Sequence, residues 1–244
     1  MIADILTVAR KELLEILAMG GGGRRGWLSQ LLMLGVFGVF LPLQSGRLWV
    51  ESPLLLLSWA WLPYLLAAST VADSFAGERE RHTLETLLAS RLSDRAILLG
   101  KALAVIAYAC GLAWAVVLLG LISLNVALFG QGLIFYSWSV SLGIVAFSLL
   151  GSGLAASAGV LISLRAATAR QAAQTMSLII FVFFIPIFVF QLLPPETQKA
   201  VVVYLGGLDP GQIALGAGGL LTVVDAALIA AALTRFQRAR LILD

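Results

Sequence analysis

The chain has 244 residues, of which 60% are hydrophobic and only 12% are charged, and its mean hydropathy is +1.00. Soluble domains contain about 45–50% apolar and about 25% charged residues. This composition excludes a disordered chain and a nucleic-acid-binding module, and it argues against nearly all soluble enzymes.

The first predicted element is an amphipathic helix over residues 2–18. One face is apolar except for a single acid, and its members recur at helical spacing. They are Ile5, Val8, Ala9, Glu12, Leu13 and Ile16. Such a helix is predicted to lie in the membrane interface, with the glycine run at 20–23 turning the chain into the membrane. That run is not expected to bind phosphate, because no Gly-Lys-Ser/Thr follows it and no strand precedes it.

Long uncharged stretches predict six membrane spans. The longest covers residues 102–164 and has 63 residues without an acid, Lys or Arg. About 20 helical residues cross a hydrocarbon core about 30 Å thick, so this stretch must form two spans. Residues 125–132 (NVALFGQG) would supply the turn between them. The predicted spans are 27–45, 53–72, 97–124, 134–161, 175–193 and 213–234.

The distribution of basic residues predicts the orientation of these spans. With an even number of spans both termini share one side, and fourteen of the sixteen Lys and Arg residues fall on that side. Only Arg47 and Lys199 lie opposite. Because cytoplasmic loops are rich in Lys and Arg, both termini and the loops 73–101 and 162–174 are predicted to be cytoplasmic.

The loop after the second span carries charges of both signs. Ten of the chain's 29 acidic and basic residues lie between Asp73 and Lys101. Its pattern predicts a helix over 78–92, which Gly77 would separate from the second span, and Ser93 would cap the helix that follows. One side of the predicted helix carries Leu84, Leu87, Leu88 and Leu92. Mixed charge favours docking into a groove of another protein, whereas an interfacial helix is the alternative.

Catalytic chemistry has little support in the sequence. The chain has one histidine, His82, and one cysteine, Cys110, too few for a typical zinc site or a Cys/His couple. We therefore expect no catalytic residue, no metal site and no cofactor bound by this chain.

Two features of the later spans concern packing and polarity. Gly151, Ala155 and Gly159 form a stripe of small residues that predicts close helix packing. Asp225 lies within an apolar run, where it is either an intramembrane polar site or a packing residue bonded to Thr222 or another helix.

The loop after the second span closely resembles that of the ATP-binding-cassette type-2 permease family. The matching residues are GERERHTLETLL at 77–88 and LSDRAILLGK at 92–101. The family pattern is roughly E-R-E-x-G-T-L-E-x-L-L, then L-S, a charged stretch and I-L-x-G-K. His82 stands where many members have glycine. The resemblance extends to an N-terminal elbow helix, six spans, and the segment RAATARQAAQ at 165–174.

This resemblance implies the all-α, polytopic permease domain of a transporter, over residues 1–244 and without an ATPase domain. Such permeases pair with a second copy or a paralogue in the lipid of the cytoplasmic (inner) membrane of a prokaryote. They bind two ATPase subunits, which hold ATP and Mg. The helix at 78–92 would be the coupling helix, with the elbow beside it. Its ATPase contacts would be Glu78, Arg79, Glu80, Arg81, Thr83, Leu84, Glu85, Leu87 and Leu88, with a second contact at Arg165 and Arg170.

The resemblance also indicates a substrate path. Spans 2 and 5 of two subunits would line a cavity for an apolar or amphipathic substrate, and export is the usual direction. The candidate lining residues are Trp59, Tyr64, Phe181, Phe184 and Phe188, although aromatic residues also serve as lipid-facing anchors. Residues 194–212 resemble the family's external re-entrant helices. The alternatives are a haem-handling or assembly-type membrane subunit of the same fold, or a secondary transporter.

Overall fold

The computed structural model describes residues 1–20, 23–51, 61–80, 91–207 and 209–236. Every regular element in these ranges is helical, which confirms the predicted all-α class. The helices are α1 (Ile2–Gly20), α2 (Gly23–Gly35), α3 (Leu41–Ser45), α4 (Leu48–Glu51), α5 (Trp61–Ala72), α6 (Glu78–Glu80), α7 (Asp94–Ala127), α8 (Trp138–Ser163), α9 (Ala169–Leu192), α10 (Pro195–Gly206) and α11 (Pro210–Arg235). Two π-helical turns, Val36–Phe40 and Asp73–Gly77, join α2 to α3 and α5 to α6.

Three helices of the described residues are long and apolar enough to cross a membrane. They are α7, α8 and the Gly211–Arg235 part of α11, and a shorter apolar helical stretch covers Gln30–Ser45. At 1.5 Å per residue, the 34 residues of α7 extend about 50 Å, well beyond a hydrocarbon core about 30 Å thick. One or both ends of α7 therefore project out of the apolar layer.

Local signals at both ends of α7 act as the sequence predicts. The Ser93 hydroxyl accepts a hydrogen bond from the Ala96 amide and caps the first turn. After α7 ends at Ala127, Gly130 and Gly132 adopt positive φ angles of 95° and 88°, which permit the turn toward α8. The Asn125 side chain holds this turn, because its amide and carbonyl groups bond to the backbone of Ile134 at 2.9 and 2.8 Å.

The predicted helix break at Gly77 is wrong. The chain is helical without interruption from Trp61 to Glu80, passing from α5 through the π-helical turn Asp73–Gly77 into α6. Gly77 and the three residues before it are buried, so packing compensates for the weak helix propensity of glycine. The predicted coupling segment therefore begins as a direct extension of α5.

Helix α5 lies at the centre of the core, where it packs against α7, α8 and α9. Small residues of α8 allow the close approach of α5. A Cβ atom on Gly159 would overlap the Val71 side chain of α5, and Ala155 is fully buried. Close packing by the small-residue stripe is thus confirmed at these two positions.

Helix α1 packs along the N-terminal part of α7. The six residues of its predicted apolar face are all buried or half-buried. The contact is tightest at Gly100, where an added Cβ would lie 2.6 Å from the Val8 Cβ and 2.9 Å from the Ile5 carbonyl oxygen. This arrangement places Glu12 of α1 directly over Lys101 of α7.

Candidate functional site

A buried cluster of charges joins α1, α7 and the helical stretch that ends in α6. We call it the ionic junction and define it as Glu12, Ser74, Glu78 and Lys101. Lys101 Nζ lies 2.8 Å from Glu12 Oε1 and 2.8 Å from Glu78 Oε1. It also donates to the Ser74 carbonyl oxygen at 3.2 Å, and the Ser74 hydroxyl donates to Glu12 Oε2 at 3.2 Å. One ammonium group therefore bonds to two carboxylates and one backbone carbonyl from two other segments.

The ionic junction is shielded from solvent. Lys101 is 0% exposed and Glu12 3% exposed, while the Glu78 side chain is 14% exposed. The Lys101 ammonium also lies 5.6 Å from the centre of the Phe75 ring, close enough for a cation–π interaction. Because buried charges are stable only when they are paired and hydrogen-bonded, each member depends on the others.

The pKa of the Glu12 carboxyl reflects two opposing effects, burial and nearby positive charge. Burial alone would raise the pKa of Glu12, but the charges and hydrogen bonds of Lys101 and Lys11 hold that pKa below its ordinary value. Lys11 lies at the rim, 3.2 Å from Glu12 Oε1 and 2.7 Å from Glu15 Oε2. Glu12, Glu15 and Glu78 each place a carboxylate oxygen within 4.8 Å of the others, and the two lysines supply positive charge among them.

The ionic junction was not predicted from the sequence. In the sequence Glu12 is a single acid on an apolar helix face, and Lys101 is one of many basic residues expected on the cytoplasmic side. The available signal was a charged residue on the packed face of each helix, since such residues require partners when they are buried.

The structure describes three of the nine residues predicted to contact the ATPase. Glu78 turns inward to Lys101, whereas Glu80 is exposed. The backbone of Arg79 is helical, and its side chain lies outside the described residues. The other six also lie outside them: Arg81, Thr83, Leu84, Glu85, Leu87 and Leu88.

Glu80 links the predicted coupling segment to the second cytoplasmic loop. Its Oε2 accepts a hydrogen bond at 3.2 Å from the amide of Ala169, the first residue of α9. Thr168 caps the same helix by accepting from the Gln171 amide, and Gln171 Oε1 accepts from the Ala167 amide. The predicted second contact, Arg165 and Arg170, flanks this cap, and both residues are exposed.

Three of the five candidate cavity residues have described side chains, and these lie in different surroundings. Tyr64 is buried in helix packing, where its hydroxyl donates to the Met176 carbonyl of α9 at 3.2 Å. Phe181 and Phe188 are 59% and 58% exposed on the outer surface of α9. Trp59 and the Phe184 side chain lie outside the described residues.

Asp225 is a buried carboxylate at the contact between α11 and α8. It is 7% exposed, and a Cβ on Gly153 would lie 3.1 Å from its Oδ2. Within the described ranges Oδ1 has no hydrogen-bond partner. Thr222 does not supply one, because its hydroxyl donates to the Gly218 carbonyl at 2.7 Å.

Comparison with known proteins gives one family match. A family model described as ABC-2 family transporter protein matches residues 53–204, more than half of the chain. This range includes α7 and α8, two of the three membrane-span candidates, together with the loop and segment on which the resemblance was based. No match was found among curated proteins. The chain is therefore a multi-pass membrane protein that belongs to the ABC-2 transporter family.

Proposed function

We propose that the chain is the permease subunit of an ATP-driven exporter, coupled through residues 78–92 to a separate ATPase subunit. It crosses the cytoplasmic membrane of a prokaryote six times, with both termini in the cytoplasm. Two such permeases, identical or paralogous, and two ATPase subunits form the transporter. ATP and Mg bind to the ATPase subunits, and this chain itself performs no catalysis.

The link between Glu80 and the N-terminus of α9 is the observation that carries this proposal. It joins the start of the predicted coupling segment to the loop that contains Arg165 and Arg170. The start of the predicted coupling segment and this loop therefore lie at one end of the helices that would transmit the movement, α5 and α9. A displacement imposed by an ATPase on either region would reach the core, because α5 and α9 pack directly against each other.

The proposed ATPase contact combines leucine side chains with charged residues from the first half of the segment 78–92. Leu84, Leu87 and Leu88 would insert into a cleft of the ATPase, and Glu85 and the Arg79–Arg81 stretch would fix their register. Thr83 belongs to the same surface. Arg165 and Arg170 form the second contact. Glu78 is the exception in this set, because its carboxylate faces Lys101 inside the permease.

The substrate path is proposed to form between two protomers. Phe181 and Phe188 are exposed on α9 and would face the second copy across an apolar passage, whereas Tyr64 supports that helix from behind through Met176. An aromatic, uncharged lining suits an apolar or amphipathic substrate. The helix α10 then lies at the external end, within the proposed re-entrant segment 194–212.

Leu84→Glu with Leu87→Glu tests the ATPase contact. The chain is co-expressed with an ABC ATPase subunit from the same genome and purified in detergent. We expect the wild-type pair to co-purify and hydrolyse ATP, and the double variant to lose the ATPase, because two buried carboxylates would lack partners in an apolar cleft. The measurements are the ratio of the two chains and the ATPase rate.

The matched control is Leu84→Met with Leu87→Met, which keeps both positions apolar and close to their original volume. This control should retain the ATPase. Co-purification of the glutamate variant at the wild-type ratio would show that residues 78–92 are not the contact.

A further inference from the structure

Lys101 is placed to do more than neutralise Glu12. Its ammonium bonds to Glu12 on α1, to Glu78 on α6 and to the Ser74 carbonyl in the π-helical turn. Through the lysine side chain, α7 is joined to both neighbouring segments at one point. No solvent reaches the ammonium, since Lys101 is 0% exposed.

The backbone around Lys101 fixes this geometry. Gly100 lets α1 approach α7 closely, because a Cβ at this position would lie 2.6 Å from the Val8 Cβ and 2.9 Å from the Ile5 carbonyl oxygen. This close approach brings Glu12 of α1 to Lys101 of α7. On the other side, the centre of the Phe75 ring in the π-helical turn lies 5.6 Å from the ammonium. Both carboxylates are thus held at 2.8 Å from the same nitrogen.

We propose that Lys101 is a positioning residue for coupling: through Glu78 it fixes the start of residues 78–92 against α1 and α7. This inference rests on the proposed function of that segment. Movement at Glu78 is then passed to the elbow helix α1 and to α7, in addition to α5. Glu78 acts as the internal end of the coupling segment and makes no contact with the ATPase.

The Lys101→Met variant removes the buried positive charge and distinguishes a positioning role of Lys101 from a role in ATPase binding. In Lys101→Met, Glu12 and Glu78 lose their shared partner, whereas no solvent-exposed residue is replaced. The permease–ATPase complex should still form. The coupling is measured as the ATPase rate of the complex divided by the rate of the free ATPase subunit. We expect this ratio to be closer to one in Lys101→Met than in the wild type, by a factor of about 2 to 30, the range found for mutations along coupled networks.

Lys11→Met is the matched control. It removes the same charge from the same carboxylate, since Lys11 also lies within 3.2 Å of Glu12 Oε1, but its side chain is 47% exposed and its shorter ion pair is with Glu15 of the same helix. A half-exposed lysine remains partly solvated, so its ion pairs contribute less than those of a fully buried lysine. We expect Lys11→Met to behave as the wild type does in both measurements.

A second readout reports the geometry itself. In a Cys110→Ala background, spin labels are attached to Arg10→Cys on α1 and Ser69→Cys on α5, which are both exposed positions; α5 continues without a break to Glu78. The distance distribution should be narrow with Lys101 present and should broaden or shift in Lys101→Met. A defect in overall folding would also release the ATPase, so an altered distance in an intact complex indicates loss of positioning.

Glu78→Gln decides the question if Lys101→Met does not fold. Lys101 keeps Glu12 in this variant, so no buried charge is left without a partner. We expect the complex to persist with reduced coupling and a broadened distance. Wild-type coupling and wild-type distances in the folded variants would overturn the inference. Failure of the wild-type chain to bind any ATPase would instead overturn the proposed function.

Discussion

Gly100 determines how closely α1 can approach α7. A Cβ at this position would lie 2.6 Å from the Val8 Cβ and 2.9 Å from the Ile5 carbonyl oxygen, so part of the α1 backbone would have to move. We expect Gly100→Ala to destabilise the detergent-solubilised protein by about 1–3 kcal/mol, the usual cost of overpacking. Thermal unfolding followed by circular dichroism measures this loss.

Gly111→Ala on the same helix is the control for Gly100→Ala. No atom lies within 4 Å of a Cβ at Gly111, so alanine should stabilise α7 by up to about 1 kcal/mol through its higher helix propensity. Opposite signs for the two substitutions would attribute the loss to α1 packing. Equal effects at both glycines would contradict the contact between α1 and Gly100.

Burial of the Asp225 carboxylate is expected to destabilise the fold, because one of its oxygens lacks a hydrogen bond within the described residues. Its Oδ1 is buried without a hydrogen-bond partner in the described part of the chain, against Gly153 of α8. An unsatisfied buried polar group costs about 1–3 kcal/mol. We therefore expect Asp225→Ala to raise the thermal unfolding temperature in detergent.

Asp209→Ala, at the start of the same helix, is expected to lower the stability of the protein, whereas Asp225→Ala should raise it. Asp209 is the N-cap of α11, and its Oδ1 accepts from the Gly211 amide at 2.9 Å. Its replacement should lower stability by about 0.5–2 kcal/mol. A loss of stability in Asp225→Ala as large as in Asp209→Ala would indicate that the Asp225 carboxylate has a bonded partner in the assembled transporter.

At the scale of single helices, features that depend on nearby residues could be predicted from the sequence. Ser93 caps α7 because its hydroxyl reaches an amide three residues ahead, and the Gly130 and Gly132 turn needs only local positive φ angles. The buried face of α1 follows from the 3.6-residue period. The segments predicted as spans 3, 4 and 6 are helices that begin and end within four residues of the predicted bounds.

Contacts between helices could not be predicted in this way. Periodicity indicates which face of α1 is apolar, but not that this face packs on α7 or that Glu12 meets Lys101. Glycine propensity suggested a break at Gly77, yet burial of residues 74–77 keeps the helix continuous. The tertiary contacts of these residues outweigh a local preference of about 1 kcal/mol.

In the candidate site, too, exposure of charged residues could be predicted from the sequence, whereas contacts between helices could not. Glu80, Arg165 and Arg170 are exposed, as their charge alone predicts, because charged residues are usually solvated. Glu78, two residues before Glu80, faces the interior, since its helical position turns it toward α7. A pattern of charges along the sequence does not distinguish these two directions without the helix packing.

For the whole molecule, the account requires residues 78–92 and the loop at 165–170 to lie on the cytoplasmic side, where an ATPase can reach them. Fourteen of the sixteen Lys and Arg residues would then be cytoplasmic, and Arg47 and Lys199 external. The structure exposes Arg91 just before α7 and Lys199 on α10, so both positions can be labelled. Cys110, the one native cysteine, is buried and can be replaced by alanine.

The most direct measurement is labelling of single cysteines at these two positions with a membrane-impermeant maleimide. We predict that intact cells label Lys199→Cys and not Arg91→Cys. Inverted membrane vesicles should label Arg91→Cys, and bound ATPase subunit should slow that reaction. Labelling of Arg91→Cys in intact cells would place the coupling segment outside the cytoplasm and would contradict the account.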